Sequence, residues 1–129
     1  MKKSPLPKPT DAELAVLRVL WHLGSSTVRE VWEQLNAQQP TGYTTVLKTM
    51  QIMLGKSLLE RDETDRSHVY RPAIGQEQTQ RQMVSHLLDR VFAGSARKLV
   101  LQALSMKKAS AQELAEIRKL LDELEGGEK

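Results

Sequence analysis

The chain has no cysteine, and that absence removes disulfides, thiolate metal sites and cysteine nucleophiles together. No apolar run approaches the roughly 18 residues a membrane-spanning helix needs. Residues 1–9 show no apolar segment behind their lysines of the kind a signal peptide carries. There is no glycine-rich loop to cradle a phosphate, no nucleophile elbow, and no carboxylate pair in an apolar setting. Histidine is scarce: His22, His68 and His86 fall in three different elements, and none has a second ligand at metal spacing. A non-enzymatic, cytoplasmic protein without metal or cofactor is therefore expected. Charge of one sign is nearly lacking too. A net charge of +3 over 129 residues, with a pI near 9.3, permits a polyanionic partner without demanding one. Residues 1–75 hold 10 Lys/Arg against 8 Asp/Glu and the remainder 9 against 8, so neither half is a basic block. Any nucleic-acid contact must rest on local placement, and non-specific binding should be weak.

What is present is helical periodicity, with a hydrophobic content of 40% that suffices for a modest core. Residues 1–9 hold three lysines and three prolines and read as a flexible arm, solvated in preference to gripping phosphate. Thr10 and Glu13 form a capping box for a first helix, whose Leu14, Leu17, Leu20, Trp21 and Leu23 are expected on its buried side, with Gly24 as its stop. A second helix starts from Ser25-Ser26-Thr27. Thr27 with Glu30 caps it, and Val28, Val31, Trp32 and Leu35 recur at helical spacing. A polar turn at residues 36–40 precedes a third.

That third helix, expected within residues 41–56, sets the chain apart. At about 100° per residue, Tyr43, Val46, Leu47, Met50, Met53 and Leu54 form one apolar stripe able to dock on a core. The opposite face carries Thr44, Thr45, Lys48, Gln51 and Ile52, with a single charge where a solvated face would show paired Glu and Lys. Two readings remain open on this stretch alone: a surface helix of poor propensity, or a recognition helix that offers hydroxyls and free N–H groups to phosphates and sets Lys48 and Gln51 toward base edges. The neighbours favour the second. Leu58 to Asp62 and His68 to Arg71 read as two short strands joined by a tight turn, which is a wing. Its tip carries Arg66, Ser67 and His68, which with Tyr43 of the third helix are expected to meet DNA, Arg66 as the natural probe of backbone or minor groove. Asp62, Glu63 and Asp65 oppose a strong phosphate grip there.

The rest is helical. Met83, Val84, Leu87, Leu88 and Val91 mark one helix, Gly94-Ser95 interrupts it, and Leu99, Val100 and Ala103 continue. Ser110 with Glu113 caps a last helix in which Leu114, Ile117, Leu121 and Leu124 follow a three-four spacing to Gly126-Gly127. These helices lack a core of their own. The economical cover is the same tail of a second subunit, with Leu87, Leu88, Val91, Leu99, Leu114, Ile117, Leu121 and Leu124 in the dimer interface.

The Thr10-Asp11-Ala12-Glu13-Leu14 opening with Leu20-Trp21, the Tyr43-Thr44-Thr45-Val46 start of the third helix, Leu58-Leu59, the His68-Val69-Tyr70-Arg71-Pro72 end of the wing and the helical tail together resemble the penicillinase and methicillin-resistance repressor family (BlaI/MecI type), from residue 10 to residue 124. The resemblance implies a homodimeric winged-helix repressor of inverted-repeat operators, with Thr44, Thr45, Leu47, Lys48, Gln51 and Ile52 at the DNA-contacting positions. It also implies a regulatory protease or membrane sensor as a further partner. Ile52 stands where the family is usually basic and Leu47 where some members are, Ser57 where a helix-ending glycine is usual that Gly55 would partly replace, and Gln102-Ala103 where the β-lactam branch is cut at Asn-Phe. The cysteines of the copper-responsive branch have no counterpart.

The expected architecture is mainly α with a small β-hairpin: an arm (residues 1–9), a winged helix-turn-helix domain (10–75) and a helical dimerisation region (76–129). The expected function is repression of transcription by a homodimer on a palindromic, double-stranded DNA operator. The alternative is a winged-helix scaffold whose helical tail mediates protein–protein interaction.

Overall fold

A computed structural model describes residues 8–64 and 66–126. The arm expected over residues 1–9 lies, through residue 7, outside the described residues, as do Asp65 and Gly127. The element order is α1 (Asp11–Leu23), α2 (Val28–Gln38), α3 (Tyr43–Gly55), β1 (Leu59–Asp62), β2 (Val69–Pro72), α4 (Gln76–Arg90), α5 (Ala96–Met106) and α6 (Ala111–Gly126). The chain divides into two units, the first reaching through Val84 and the second starting at Ser85.

In the first unit, α1 and α2 begin at complete capping boxes. The Thr10 N–H donates to Glu13 Oε1 at 2.9 Å and the Glu13 N–H returns to Thr10 Oγ1 at 3.2 Å, while Thr27 and Glu30 repeat the exchange at 2.9 and 3.1 Å. Each box satisfies donors that a helix start otherwise leaves open. The core is built from Val16, Leu17, Val19 and Leu20 of α1, Val28 and Val31 of α2, Val46, Met50 and Met53 of α3, then Leu58, Leu59 and Tyr70. Leu23, expected on the buried side of α1, is instead 43% exposed: it is the last residue of the helix before Gly24 (φ 88°), and the core residues of α1 end one turn earlier at Leu20. Trp21 is half-buried against that core, and its Nε1–H donates to the Ile74 carbonyl at 3.3 Å.

The wing is one antiparallel hairpin in which Leu59 pairs with Pro72, Glu60 with Arg71, Arg61 with Tyr70 and Asp62 with Val69. A link invisible in the local pattern joins it to the helices. Ser26 lies not in the second helix but in a bridge to Tyr70, with N–H to carbonyl distances of 2.9 Å and 2.8 Å. The hairpin is thereby fastened to the turn between α1 and α2.

At the end of α3, Ser57 has φ 66°, its N–H donates to the Leu54 carbonyl at 3.1 Å, and the Leu58 N–H donates to that of Met53 at 2.9 Å. This is a Schellman closure with serine at the left-handed position that suits glycine. Gly55 does not replace that glycine as expected. It lies inside the helix with nothing within 4 Å of where a Cβ would stand. Just beyond, Lys56 reaches back to α1, its Nζ 2.8 Å from Glu13 Oε2.

Glu13 is 3% exposed. Burial raises its carboxyl, but the hydrogen bond and charge of Lys56, with the donors of Thr10, outweigh that and leave it below its ordinary value of 4.5.

Ser57→Gly relieves the left-handed strain and should raise stability by about 1 kcal/mol, and Gly55→Ala should add about 0.5–1 kcal/mol by helix propensity; urea denaturation of the two single variants and the pair checks both. Because the Glu13 pKa is lower in the folded than in the unfolded chain, its contribution is complete above pH 4.5 and fades as pH falls through the depressed folded value. Glu13→Gln keeps a capping amide but loses the ion pair, so it should be about 1–2 kcal/mol less stable than wild type near neutrality, with the gap closing in acid. A gap that held constant across the acid range would show that the pair does not stabilise the junction.

Candidate nucleic-acid interface

Because α3 buries Val46, Met50 and Met53 and half-buries Leu47 and Leu54, the remaining arc of the helix faces water. Thr44, Thr45, Lys48, Gln51 and Ile52 are all exposed on it, and no acidic residue occurs in the helix. Its N-terminus differs from those of α1 and α2. Gly42 stands at the cap with no side-chain hydrogen bond, so the first-turn N–H groups of Tyr43, Thr44 and Thr45 lack a capping side chain. Those amides, the two threonine hydroxyls and Lys48 make an outward row of donors suited to phosphate oxygens and base edges.

The start of this row is held by a small aromatic assembly. Trp32 donates its Nε1–H to the Thr41 carbonyl at 2.7 Å, and the Thr41 N–H is held by Asn36 Oδ1 at 2.9 Å. These contacts fix the turn between α2 and α3. The exposed Tyr43 ring meets Trp32 edge-on at 5.9 Å, and Arg29 lies over the other ring at 5.8 Å while it pairs with Glu33 at 3.5 Å. Tyr43 therefore belongs less to the docking stripe than its spacing implies. Arg29 escaped the sequence reading, because only the folded turn brings the first turn of α2 beside α3.

Tyr43 and Leu47 share a shallow depression of about 340 Å³ with Thr27, Arg29, Ser67, His68 and Tyr70. The structure thus gathers Tyr43, Leu47, Ser67 and His68 from helix and wing, whereas Arg66 stands exposed near the hairpin tip, outside that depression. Two of the three wing carboxylates expected to oppose Arg66 are engaged within the hairpin. Glu63 is paired with Arg61, and Asp62 accepts the Thr64 N–H at 3.0 Å, which lowers the Asp62 pKa. Glu60 is held across the strands by Arg71 at 3.0 Å. No cluster of metal-ligating side chains occurs among the described residues, and no described helix is long and apolar enough to cross a membrane.

In the second unit the expected interface residues divide by exposure. Leu88, Leu99, Leu114 and Ile117 are half-buried; Leu87, Val91, Leu121 and Leu124 are exposed, Val91 to 65% and Leu124 to 62%. Val100, Leu101, Leu104 and Met106 on α5 and Leu120 on α6 are exposed with them, as is Val84 at the close of the first unit, and neither α5 nor α6 has a buried residue.

The chain is similar to known proteins. A transcriptional regulator BlaI of Mycobacterium tuberculosis is 31% identical over 118 residues, 91% of this chain and 85% of that one. A penicillinase repressor of Bacillus licheniformis is 30% identical over 124 residues, 95% of this chain and 94% of that one. The solution structure of the DNA-binding domain of the repressor BlaI matches at a TM-score of 0.50 and 30% identity, over 59% of this chain and 90% of the domain. The monomeric form of Bacillus licheniformis BlaI, solved in complex with the blaP half-operator, matches at 0.50 and 27% identity, over 57% and 89%. The first unit is accordingly a winged helix. With residues 9–123 matched by the penicillinase repressor family, the chain belongs to that family.

Proposed function

We propose that the protein is a sequence-specific repressor of transcription that binds a palindromic operator as a homodimer and occludes the promoter. The observation that carries this reading is the outward face of α3: an uncapped N-terminus, two threonine hydroxyls, Lys48 and Gln51, free of acidic residues and set beside a wing. A relative of similar fold was solved in complex with a half-operator, which supports DNA as the partner. In this reading Thr44, Thr45 and the first-turn amides grip phosphate, and Lys48 and Gln51 reach into the major groove. Arg66 reaches backbone beside it, and Tyr43, Leu47, Ser67 and His68 pack the junction of helix and wing. The tail supports the dimer, since a solitary copy leaves a broad set of leucines and valines on α4, α5 and α6 exposed. Linking two recognition helices makes the second half-site contact intramolecular and multiplies affinity.

Electrophoretic shift of DNA upstream of the protein's own coding region should show discrete complexes that survive competitor DNA; loss of every complex to competitor overturns the reading. Lys48→Ala is expected to weaken operator binding by about 1–3 kcal/mol if its ammonium meets a base edge, and by less if it meets only phosphate. Arg66→Ala should weaken it less than Lys48→Ala, measured by titration on operator and on random duplex. A chain ended after Val84, where the first unit closes, should remain folded but monomeric and lose most operator affinity. Light scattering with operator titration decides this: a full-length monomer, or a shortened chain that binds as tightly, refutes the dimer.

A further inference from the structure

We infer that Ile52 is a base-reading residue whose target is the 5-methyl group of a thymine in the major groove. This rests on the DNA-binding reading above and specifies what that face recognises. Ile52 is a large apolar side chain left 48% exposed on the outer face of α3. Thr44, Lys48 and Ile52 follow one another at four-residue intervals along one row, each about 6 Å beyond the last. The next member of the row, Lys56, is drawn off to Glu13 at 2.8 Å, so the row ends on Ile52. Leu47, the other apolar residue that the family resemblance sets at a DNA-contacting position, is half-buried in the depression with Tyr43 and His68 and has less surface to offer a base.

The chemistry of the groove then selects the target. A branched side chain with few rotamers presents a fixed methyl surface. Set against guanine or cytosine, it strips water from O6 or N4 and returns no hydrogen bond. The thymine methyl is the one apolar feature of the major-groove pattern, and contact with it incurs no such loss. Gln51 stands beside Ile52, and its amide matches N6 and N7 of adenine, so both residues draw the same stretch of groove toward A·T pairs.

Wild-type protein is used to select duplexes from a random-sequence pool, and each thymine of the selected duplex is then replaced singly by 2′-deoxyuridine, which deletes the methyl and leaves the pairing intact. One such replacement per half-site is expected to weaken wild type about fourfold, the size of one buried methyl contact. Ile52→Ala, whose exposed site leaves the fold intact, should bind thymine and uracil forms equally. Ile52→Lys should also be indifferent to uracil, with a salt dependence steeper by about one released counterion per half-site. Wild type that tolerates every replacement, or an alanine variant that keeps the full uracil penalty, overturns the inference while leaving the DNA-binding reading standing. Failure to enrich any sequence overturns that reading and the inference with it.

Discussion

The outward face of α3 exists because the helix can be wet on only one side. Val46, Met50 and Met53 are withdrawn from water against α1, α2 and the hairpin, and burial of side chains of this size stabilises by roughly 1.5–3 kcal/mol each. With a helical period of 3.6, fixing three residues on the inner side fixes the azimuth of every other residue in the helix. Thr44, Lys48 and Ile52 face outward as a consequence. The Glu13–Lys56 pair and the Schellman closure at Ser57 then pin the far end of the helix, and the Trp32–Thr41 hydrogen bond pins the near end. A side chain that reads bases needs this rigidity, because a small rotation of the helix would exchange one register of groove contacts for another.

Much of the first unit was legible in the sequence, and the reason is locality. A threonine three residues before a glutamate forms its capping box with no help from the rest of the chain, and both boxes stand where the pattern puts them. The alternation of the hairpin and the apolar stripe of α3 are equally local. What escaped depends on residues distant in sequence or on exact backbone angles. Leucine spacing favoured Leu23 and passed over Val16 and Val19, since the pattern does not say where the core ends. Ser26 reads as helix-start chemistry until Tyr70 arrives to bridge it. The Arg29–Trp32–Tyr43 assembly joins two helices across a turn whose course a composition of polar residues does not reveal. At Ser57 the residue type argued against a left-handed angle, and the Met53 and Leu54 carbonyls imposed it.

The charge pattern is more selective than the formal count implies. Lys56 is committed to Glu13, Arg61 to Glu63, Arg71 to Glu60 and Arg29 to Glu33. These pairs neutralise one another at short range, and the exposed ones among them add little to stability. Lys48 and Arg66 are the described cations of α3 and the wing tip outside such pairs. A nearly neutral protein can therefore show a locally positive face, with few phosphate contacts and a correspondingly shallow dependence on salt.

The uncovered leucines and valines of α4, α5 and α6 bear on the lifetime of the molecule in the cell. Helices that carry Val91, Leu101, Leu121 and Leu124 on their surface are the kind of chain that holdase chaperones retain and proteases degrade. A copy whose surface stays bare is exposed to turnover, and a copy whose surface is covered is sheltered from it. In the homodimer proposed above, abundance would become self-referential: below the concentration at which a second copy covers this surface the protein would be short-lived, above it the protein would persist, and a modest change in synthesis would be converted into a larger change in the amount that survives.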